Sequence, residues 1–593
     1  MLVLVALMVA GPAYAFRFES GDVQGNLDMQ LTVGAGLRTQ SWNPQLVGDP
    51  TVVPDANTAA SSNTDDGDLN YKKNNLYTTY VKFTPELLVK FPYDFKFMTR
   101  ASFLYDFMAD QTERTELSAE AKRQVVYNAY LYDLWLSKDF NVGGQRARVR
   151  LGNQVVSWGE SIFAIGGINA TNALDFQKIS IPGTQIKEAV LPMPMISVAS
   201  GLGGGFNLEG YYQFWWNRNR LPPVGSYFSV VDILGKGRQN AFIDLNPASP
   251  YFFNFGGLDP AADPTQANTF EVPVLGEIKP STQGQYGFAM HYKPSGVSLD
   301  VGLYFMNYHD KMPVLNLQFD GATQYFQWEY LENRKLYGIS ANTSLGNWAV
   351  GWELSYRPKE AVALSTCYAP GTDTSWINAV VVPDCPMWID KPKYQMHLTG
   401  ILSLTPGDHG WLLNLLGADT GTFIGEAVWI HFNGVDKNKQ FVRDINGNQV
   451  MQVPDAGYGF WVGSPVSFDP DAALTSLGLP PLGQGAVTYY TFAGVGDADS
   501  LGFTVDFNVV YDNKIIKGWQ VIPGITFFDA IKGNTPTLTA NYMAGAKSMN
   551  FYLNFVQNVP TNWQAGINYL TYWGKNQFLA DRDFLGAYLT RNF

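Results

Sequence analysis

Charge is scarce in this sequence. Only 16% of the 593 residues are Asp, Glu, Lys or Arg, against about a quarter in an average soluble domain. A basic excess is missing too: the formal net charge is −12, which leaves no electrostatic footprint for nucleic acid as a partner. Cysteine is down to Cys367 and Cys385 and histidine to five residues, with no zinc-type cluster or metal-spaced His pair among them. No G-x-S-x-G elbow or P-loop occurs, so the sequence offers no catalytic residues and calls for no cofactor. Beyond residues 1–15 no uncharged apolar run approaches the ~18 residues of a membrane-crossing helix. A polytopic helical membrane protein is excluded.

What the chain has is aromatic residues (15%), 58 glycines and 46% hydrophobic residues, at a mean hydropathy of only −0.10. That many aromatics argue against disorder. Low charge, moderate hydropathy and abundant aromatics and glycine together describe a transmembrane β-barrel. Residues 1–10 are apolar and Ala13-Tyr14-Ala15 is a small-x-small site, so 1–15 reads as a signal peptide cleaved before Phe16. The chain closes on Phe593 after alternating Leu585, Ala587 and Leu589, like the last strand of a bacterial outer-membrane barrel. The expected location is the outer membrane of a Gram-negative bacterium, in contact with its lipid.

The dominant pattern has period two. From Val23 to Leu37 the odd positions are Val, Gly, Leu, Met, Leu, Val, Ala and Leu; the even ones from Gln24 are Gln, Asn, Asp, Gln, Thr, Gly, Gly and Arg. A strand sends alternate side chains to opposite faces, so one face suits lipid and the other water. The pattern recurs, as in Phe503, Val505, Phe507 and Val509 interleaved with Thr504, Asp506 and Asn508. Marking every such segment predicts an all-β, antiparallel barrel of about eighteen strands, with sixteen as the alternative. The first strand lies near 22–40 and the last near 583–593. Connections alternate between tight turns and long loops, the largest at 41–74, 158–192, 218–283, 359–391 and 434–500; 406–420 is the one long connection on the tight-turn side. Short periplasmic turns opposite long extracellular loops are the habit of outer-membrane barrels.

Several motifs resemble a known family. Arg150-Leu-Gly-Asn-Gln-Val-Val-Ser-Trp-Gly-Glu160 is followed by Gly167-Ile-Asn169, Pro182-Gly183 and Lys187-Glu188-Ala-Val-Leu-Pro192. Upstream stands Asp65-Asp-Gly-Asp-Leu-Asn70 and near the end Asp581-Arg-Asp583. Together they resemble the domain of unknown function 1302 family of proteobacterial outer-membrane proteins, over nearly the whole mature chain. The resemblance implies an outer-membrane barrel. It also implies two partners, a periplasmic lipid-carrier protein and an inner-membrane exporter, and hence traffic in lipids or hydrophobic compounds. It brings no catalytic residues.

Candidate site residues follow from the alternation. With Ala147, Val149 and Leu151 outward, Arg146, Arg148 and Arg150 form a lumen-facing ladder with steps of ~6.7 Å. Neighbouring strands offer Lys82, Glu86, Lys96, Arg100, Asp133 and Glu209. Such a charged wall either orients the polar head of a solute or stiffens the barrel with salt bridges. The 158–192 loop is rich in Gly, Ile and Ala and poor in charge, which fits a segment folded inward as a constriction. Trp158, Glu160, Asn169, Asp175 and Glu188 would then line the passage; packing among outer loops is the alternative. Asp66, Asp68 and Asn70 match the start of a calcium loop, but Tyr71 stands where that loop needs glycine and Tyr77 where it needs its bidentate acid. Cys367 and Cys385 are expected to form one loop disulfide, or else to remain buried thiols.

The function expected is a passive conduit for small, amphipathic or hydrophobic solutes. The competing readings are a general diffusion porin, a non-conducting component of an envelope export assembly, and a barrel hydrolase.

Overall fold

The computed structural model describes residues 16–47, 66–244, 269–319, 324–363, 385–435, 440–443, 449–453, 458–459, 464–468, 487–491, 494–558 and 562–593. The expected signal peptide (1–15) and Cys367 of the expected disulfide lie outside the described residues.

Eighteen strands form the wall. The first six are β1 (Val23–Arg38), β2 (Leu76–Phe91), β3 (Phe95–Asp106), β4 (Tyr127–Val142), β5 (Gln145–Gln154) and β6 (Met193–Gly203). Then come β7 (Phe206–Gln213), β8 (Gln285–Tyr292), β9 (Leu299–Tyr308), β10 (Arg334–Leu345), β11 (Trp348–Ala363) and β12 (Trp388–Leu404). The last are β13 (Thr420–Phe432), β14 (Asp499–Asp512), β15 (Trp519–Lys532), β16 (Lys547–Gln557), β17 (Trp563–Trp573) and β18 (Phe584–Asn592). Each is antiparallel to its chain neighbour, and β18 returns to β1 in register from Gln30↔Asn592 to Arg38↔Phe584. Side chains bridge that seam: Thr32 and Thr590 hydroxyls lie 2.9 Å apart, and Gln30 Nε2 donates to Asn592 Oδ1 at 2.9 Å. Closure pairs every wall strand on both sides and leaves no open edge, as a barrel in lipid requires.

Alternation decides which face is which. On β3, Phe103 and Tyr105 are exposed on the outside while Ser102 and Asp106 are buried within. Leu398 on β12 is likewise exposed beside buried His397 and Thr399. An outer surface of Phe, Leu, Ile and Tyr around a polar interior defines a membrane-spanning barrel.

Tight turns and long connections alternate as expected, and both described ends lie on the tight-turn side. Gly143 and Gly144, with φ of +57° and +78°, form the two-residue turn between β4 and β5, a conformation in which side chains are strained. Residues Phe16–Ser20, not anticipated as a strand, pair with the start of β1. The long tight-side connection is a helix, Pro406–Leu416, capped by the Thr405 side chain on Asp408 N–H and ended by left-handed Gly417. Its Leu413 packs on Leu404 and Val509 of the outer face, leaving Trp411 and Leu415 exposed. The 359–391 loop is shorter than expected, because β11 continues to Ala363 and β12 begins at Trp388.

Candidate lumen constriction

The connection between β5 and β6 enters the barrel and crosses it. Its first half is gripped by β11, β12 and β13, where the inward-facing side chains are polar and almost wholly buried. Glu353 accepts hydrogen bonds from Glu160 N–H at 2.5 Å and Ile168 N–H at 2.9 Å. Glu426 accepts from Phe163 and Ala164 N–H at 2.5 and 2.8 Å, and lies 2.7 Å from His397 Nδ1. Carbonyls of the loop are held in turn: Arg357 donates to Gly166 O and Gly167 O at 2.5 and 2.9 Å. Gln395 and Asn541 both donate to Ile165 O at 2.9 Å.

Two glycines allow this approach. A Cβ on Gly159 would stand 2.3 Å from Glu353 Oε2, and one on Gly167 2.0 Å from Glu353 Oε1. Gly159 also has φ +89°. Any side chain there would displace the carboxylate that organises the loop.

The second half of the loop is anchored nine strands away in the ring of eighteen, on β2 to β4. Lys82 of β2 meets Glu188 at 2.8 Å, both buried. Tyr80 donates to Pro182 O, and Tyr132 of β4 donates to Glu188 O at 2.7 Å. In the helical turn Phe176–Ile179, Asp175 accepts from Lys178 N–H at 3.2 Å as its cap, while Lys178 Nζ donates to the Tyr132 hydroxyl. Burial pushes Lys178 down to about 8, against the attraction of Asp175 and Glu188. Burial also raises Asp175 above the usual carboxylate range, opposed by Lys178 and Arg220.

The other singled-out residues fall into separate groups. Glu160 accepts from Asn342 Nδ2 at 2.8 Å, and burial raises its carboxyl above the ordinary value against that bond. Trp158 is packed into the wall beside Tyr211 and Tyr304 and donates to Glu209 at 2.8 Å. Asn169 is exposed and its amide contacts Ser157 Oγ at 3.4 Å. Arg100 pairs with Asp133 at 2.8 Å because a bulge opposite Arg100 and Ala101 inserts an extra residue into β4. Glu86 lies 3.5 Å from Lys187.

The arginine ladder is split. Arg146 and Arg148 converge with Lys96 on Asp139, at 2.8, 2.6 and 2.7 Å, an acid that strand phase alone did not single out. Arg150 takes no part; its guanidinium lies 4.3 Å from the Trp135 ring, a cation–π contact. Asp66, Asp68 and Asn70 are buried with protein partners. Thr115 donates to Asp66 at 2.9 Å and Asn70 to Gly225 O at 2.9 Å, while Arg582 pairs with Asp68. Among the described residues no group of three or more His, Cys, Asp and Glu is arranged to hold a metal ion.

Sequence reading missed Glu353, Glu426, Arg357 and Lys311. The two acids carried a usable signal: each stands at an inward position of an alternating strand, next to outward Trp352 or Ala427.

Cavities lie along the lumen. At the tight-turn end, about 500 Å³ is bordered by Arg146, Arg148, Glu209 and Asp300. Deeper, an apolar cavity of about 310 Å³ runs between Ile165, Phe176, Leu221, Phe228, Val231 and Phe578. It shares Ile165, Met312, Leu538 and Thr539 with a neighbouring cavity of about 160 Å³ that carries Lys311, Trp328 and Trp388.

Fold and loop together define a membrane-spanning β-barrel whose lumen is crossed by one of its own connections. The family described as "Protein of unknown function (DUF1302)" matches residues 1–593, and the chain belongs to it. No curated protein matches. Among solved structures, OccAB1 of Acinetobacter baumannii is 10% identical, with 97% of this chain and 96% of that one covered and a TM-score of 0.39. A BenF-like porin from Pseudomonas fluorescens Pf-5 is 9% identical, with 96% and 98% covered and a TM-score of 0.38. OccK2 (OpdF) of Pseudomonas aeruginosa, solved with glucuronate, is 7% identical, with 96% and 97% covered and a TM-score of 0.36. The barrel is closed by its own strand pairing, from β1 round to β18.

Proposed function

We propose that this protein is a passive conduit in the outer membrane of a Gram-negative bacterium, passing small amphipathic or hydrophobic solutes across a constriction made by the 158–192 loop. The observation that carries this reading is the apolar cavity against the loop. Phe176, Leu221, Phe228, Val231 and Phe578 line about 310 Å³, a surface that rewards transfer of hydrocarbon from water and offers little to ions or sugars. Polar vestibules at Arg146 and Arg148 on one side, and at Arg218, Arg220 and Lys236 on the other, give an amphipathic solute a place to enter and to leave.

The loop's many anchors favour a second reading, a barrel that conducts little and serves an export assembly with a periplasmic lipid carrier and an inner-membrane exporter. Single-channel conductance of the refolded protein in a planar bilayer separates the two. A steady conductance blocked by fatty acids and other amphiphiles supports the conduit. A sealed barrel indifferent to every compound overturns it and moves the search to the periplasmic partner.

A further inference from the structure

Lys311 is out of place among the cations of the lumen. Every neighbouring cation is committed. Arg334 lies 3.2 Å from Asp310 and 2.7 Å from Asp390. Lys393 lies 3.1 Å from Glu360, and Arg357 holds the loop carbonyls Gly166 O and Gly167 O. Lys311 Nζ, on a side chain only 9% exposed, has no hydrogen-bond partner among the described residues. The acid beside it in sequence, Asp310, is turned to Arg334. An ammonium withdrawn from water without a hydrogen-bond partner costs several kcal/mol, and burial pushes this one down to about 8 against the attraction of Asp310.

Its surroundings fit a ligand head. Lys311 lines the 160 Å³ cavity, whose charged lining is Lys311, Arg357 and Lys393 against Asp310 and Glu360, one cation in excess. The remaining wall includes Trp328, Trp388, Met387 and Leu315. Across Ile165, Met312, Leu538 and Thr539 lies the apolar 310 Å³ cavity. Together the two reach the lower part of the range of about 300–1,000 Å³ typical of small-molecule sites. One uncommitted cation at the end of an apolar chamber is complementary to one anion on a hydrocarbon body.

We propose that this pair of cavities is a binding site for amphipathic monocarboxylates, with Lys311 as counter-ion of the carboxylate and the adjoining apolar cavity as receptacle for the body. The site deepens the conduit reading and rests on it: the solute is a carboxylate, and Lys311 is where it pauses. No covalent step is involved; the carboxylate replaces water at Nζ as acceptor of a charge-assisted hydrogen bond.

The test is equilibrium binding of decanoate and of decanol, its uncharged counterpart, to the full chain in lipid nanodiscs, with empty nanodiscs as blank. The wild type is expected to prefer decanoate by about tenfold or more, the size of one charge-assisted hydrogen bond. Lys311→Met and Lys311→Gln abolish the preference and leave decanol binding unchanged; Lys311→Arg retains it. Lys532→Met, at the exposed end of β15 and outside these cavities, leaves it intact. Both neutral variants remove a buried unpaired charge, so they fold at least as stably as the wild type. Equal binding of the two probes to wild type, or a preference surviving in both neutral variants, overturns the carboxylate site while leaving the conduit standing. If neither probe binds the wild type above the blank, the conduit reading falls and takes this site with it.

Discussion

Lys82 on the barrel wall and Glu188 near the end of the inserted loop meet at 2.8 Å with both side chains almost wholly withdrawn from water. The pair ties one end of the constriction to β2. Removing one partner strands the other charge, at a cost of about 3–5 kcal/mol. Lys82→Met therefore releases the 180–189 segment, read as faster protease cutting there in the folded barrel. The double variant Lys82→Met with Glu188→Gln recovers much of the protection, because no bare charge remains. Equal cutting in wild type and single variant would show the pair to be idle.

Gly167 tests the opposite wall. Its φ is ordinary, so Gly167→Ala acts through the crowding of its Cβ against Glu353 Oε1 and His397 Nε2. Overpacking of this kind costs about 1–3 kcal/mol. Amide hydrogen exchange at Phe163, Ala164 and Ile168 is expected to speed up. Gly407→Ala, where a Cβ meets nothing within 4 Å, serves as control and leaves exchange unchanged.

The fold was almost wholly legible in the sequence, for a physical reason: a strand between lipid and water must alternate. Each of the eighteen expected segments overlaps an observed wall strand. What alternation cannot reveal is which polar partner an inward side chain finds across the lumen. Lys82 and Glu188 were both singled out, but their contact depends on how a 35-residue loop turns. Glu353 and Glu426 were passed over because an isolated acid on a strand's wet face reads as solvated wall. The bulge that swings Asp133 toward Arg100, and the Asp139 hub, depend on register, which periodicity does not fix.

Lys178 gives the constriction a pH dependence. Burial holds its pKa at about 8, below the ordinary 10.5, with Asp175, Glu188, Arg220 and Lys82 acting on it. Between those values the unfolded chain binds more protons than the native one, so stability rises with pH across that window. The slope is at most about 1.4 kcal/mol per pH unit. Thermal melts from pH 8 to 10.5 should show that rise in the wild type relative to Lys178→Met. Parallel curves would refute it.

Asp68 and Arg582, from two distant motifs, close a buried cluster with Arg38 and Asp581. Arg582 also donates to Tyr227 O at 2.6 Å and Ser229 O at 3.1 Å, which fastens the long connection after β7. Asp68→Asn is expected to cost about 3–5 kcal/mol locally. The cut site moves into residues 221–235 under limited proteolysis, while the unheated protein keeps the fast gel mobility of a closed barrel. Loss of that mobility would mean the cluster is needed by the wall itself.

The far wall holds the constriction almost entirely by its peptide groups. Glu353 and Glu426 take main-chain N–H bonds, and Arg357, Gln395 and Asn541 give theirs to main-chain oxygens. Peptide groups are the same whatever residue carries them. Glu160 is held by its carboxylate, Ile168 is packed in the core and Gly166 and Gly167 are cramped; between them, the side chains from 161 to 165 can therefore change without loss of the mount. A lineage of such barrels can alter what it admits by rewriting one short stretch of loop, as a lens is swapped in a fixed frame.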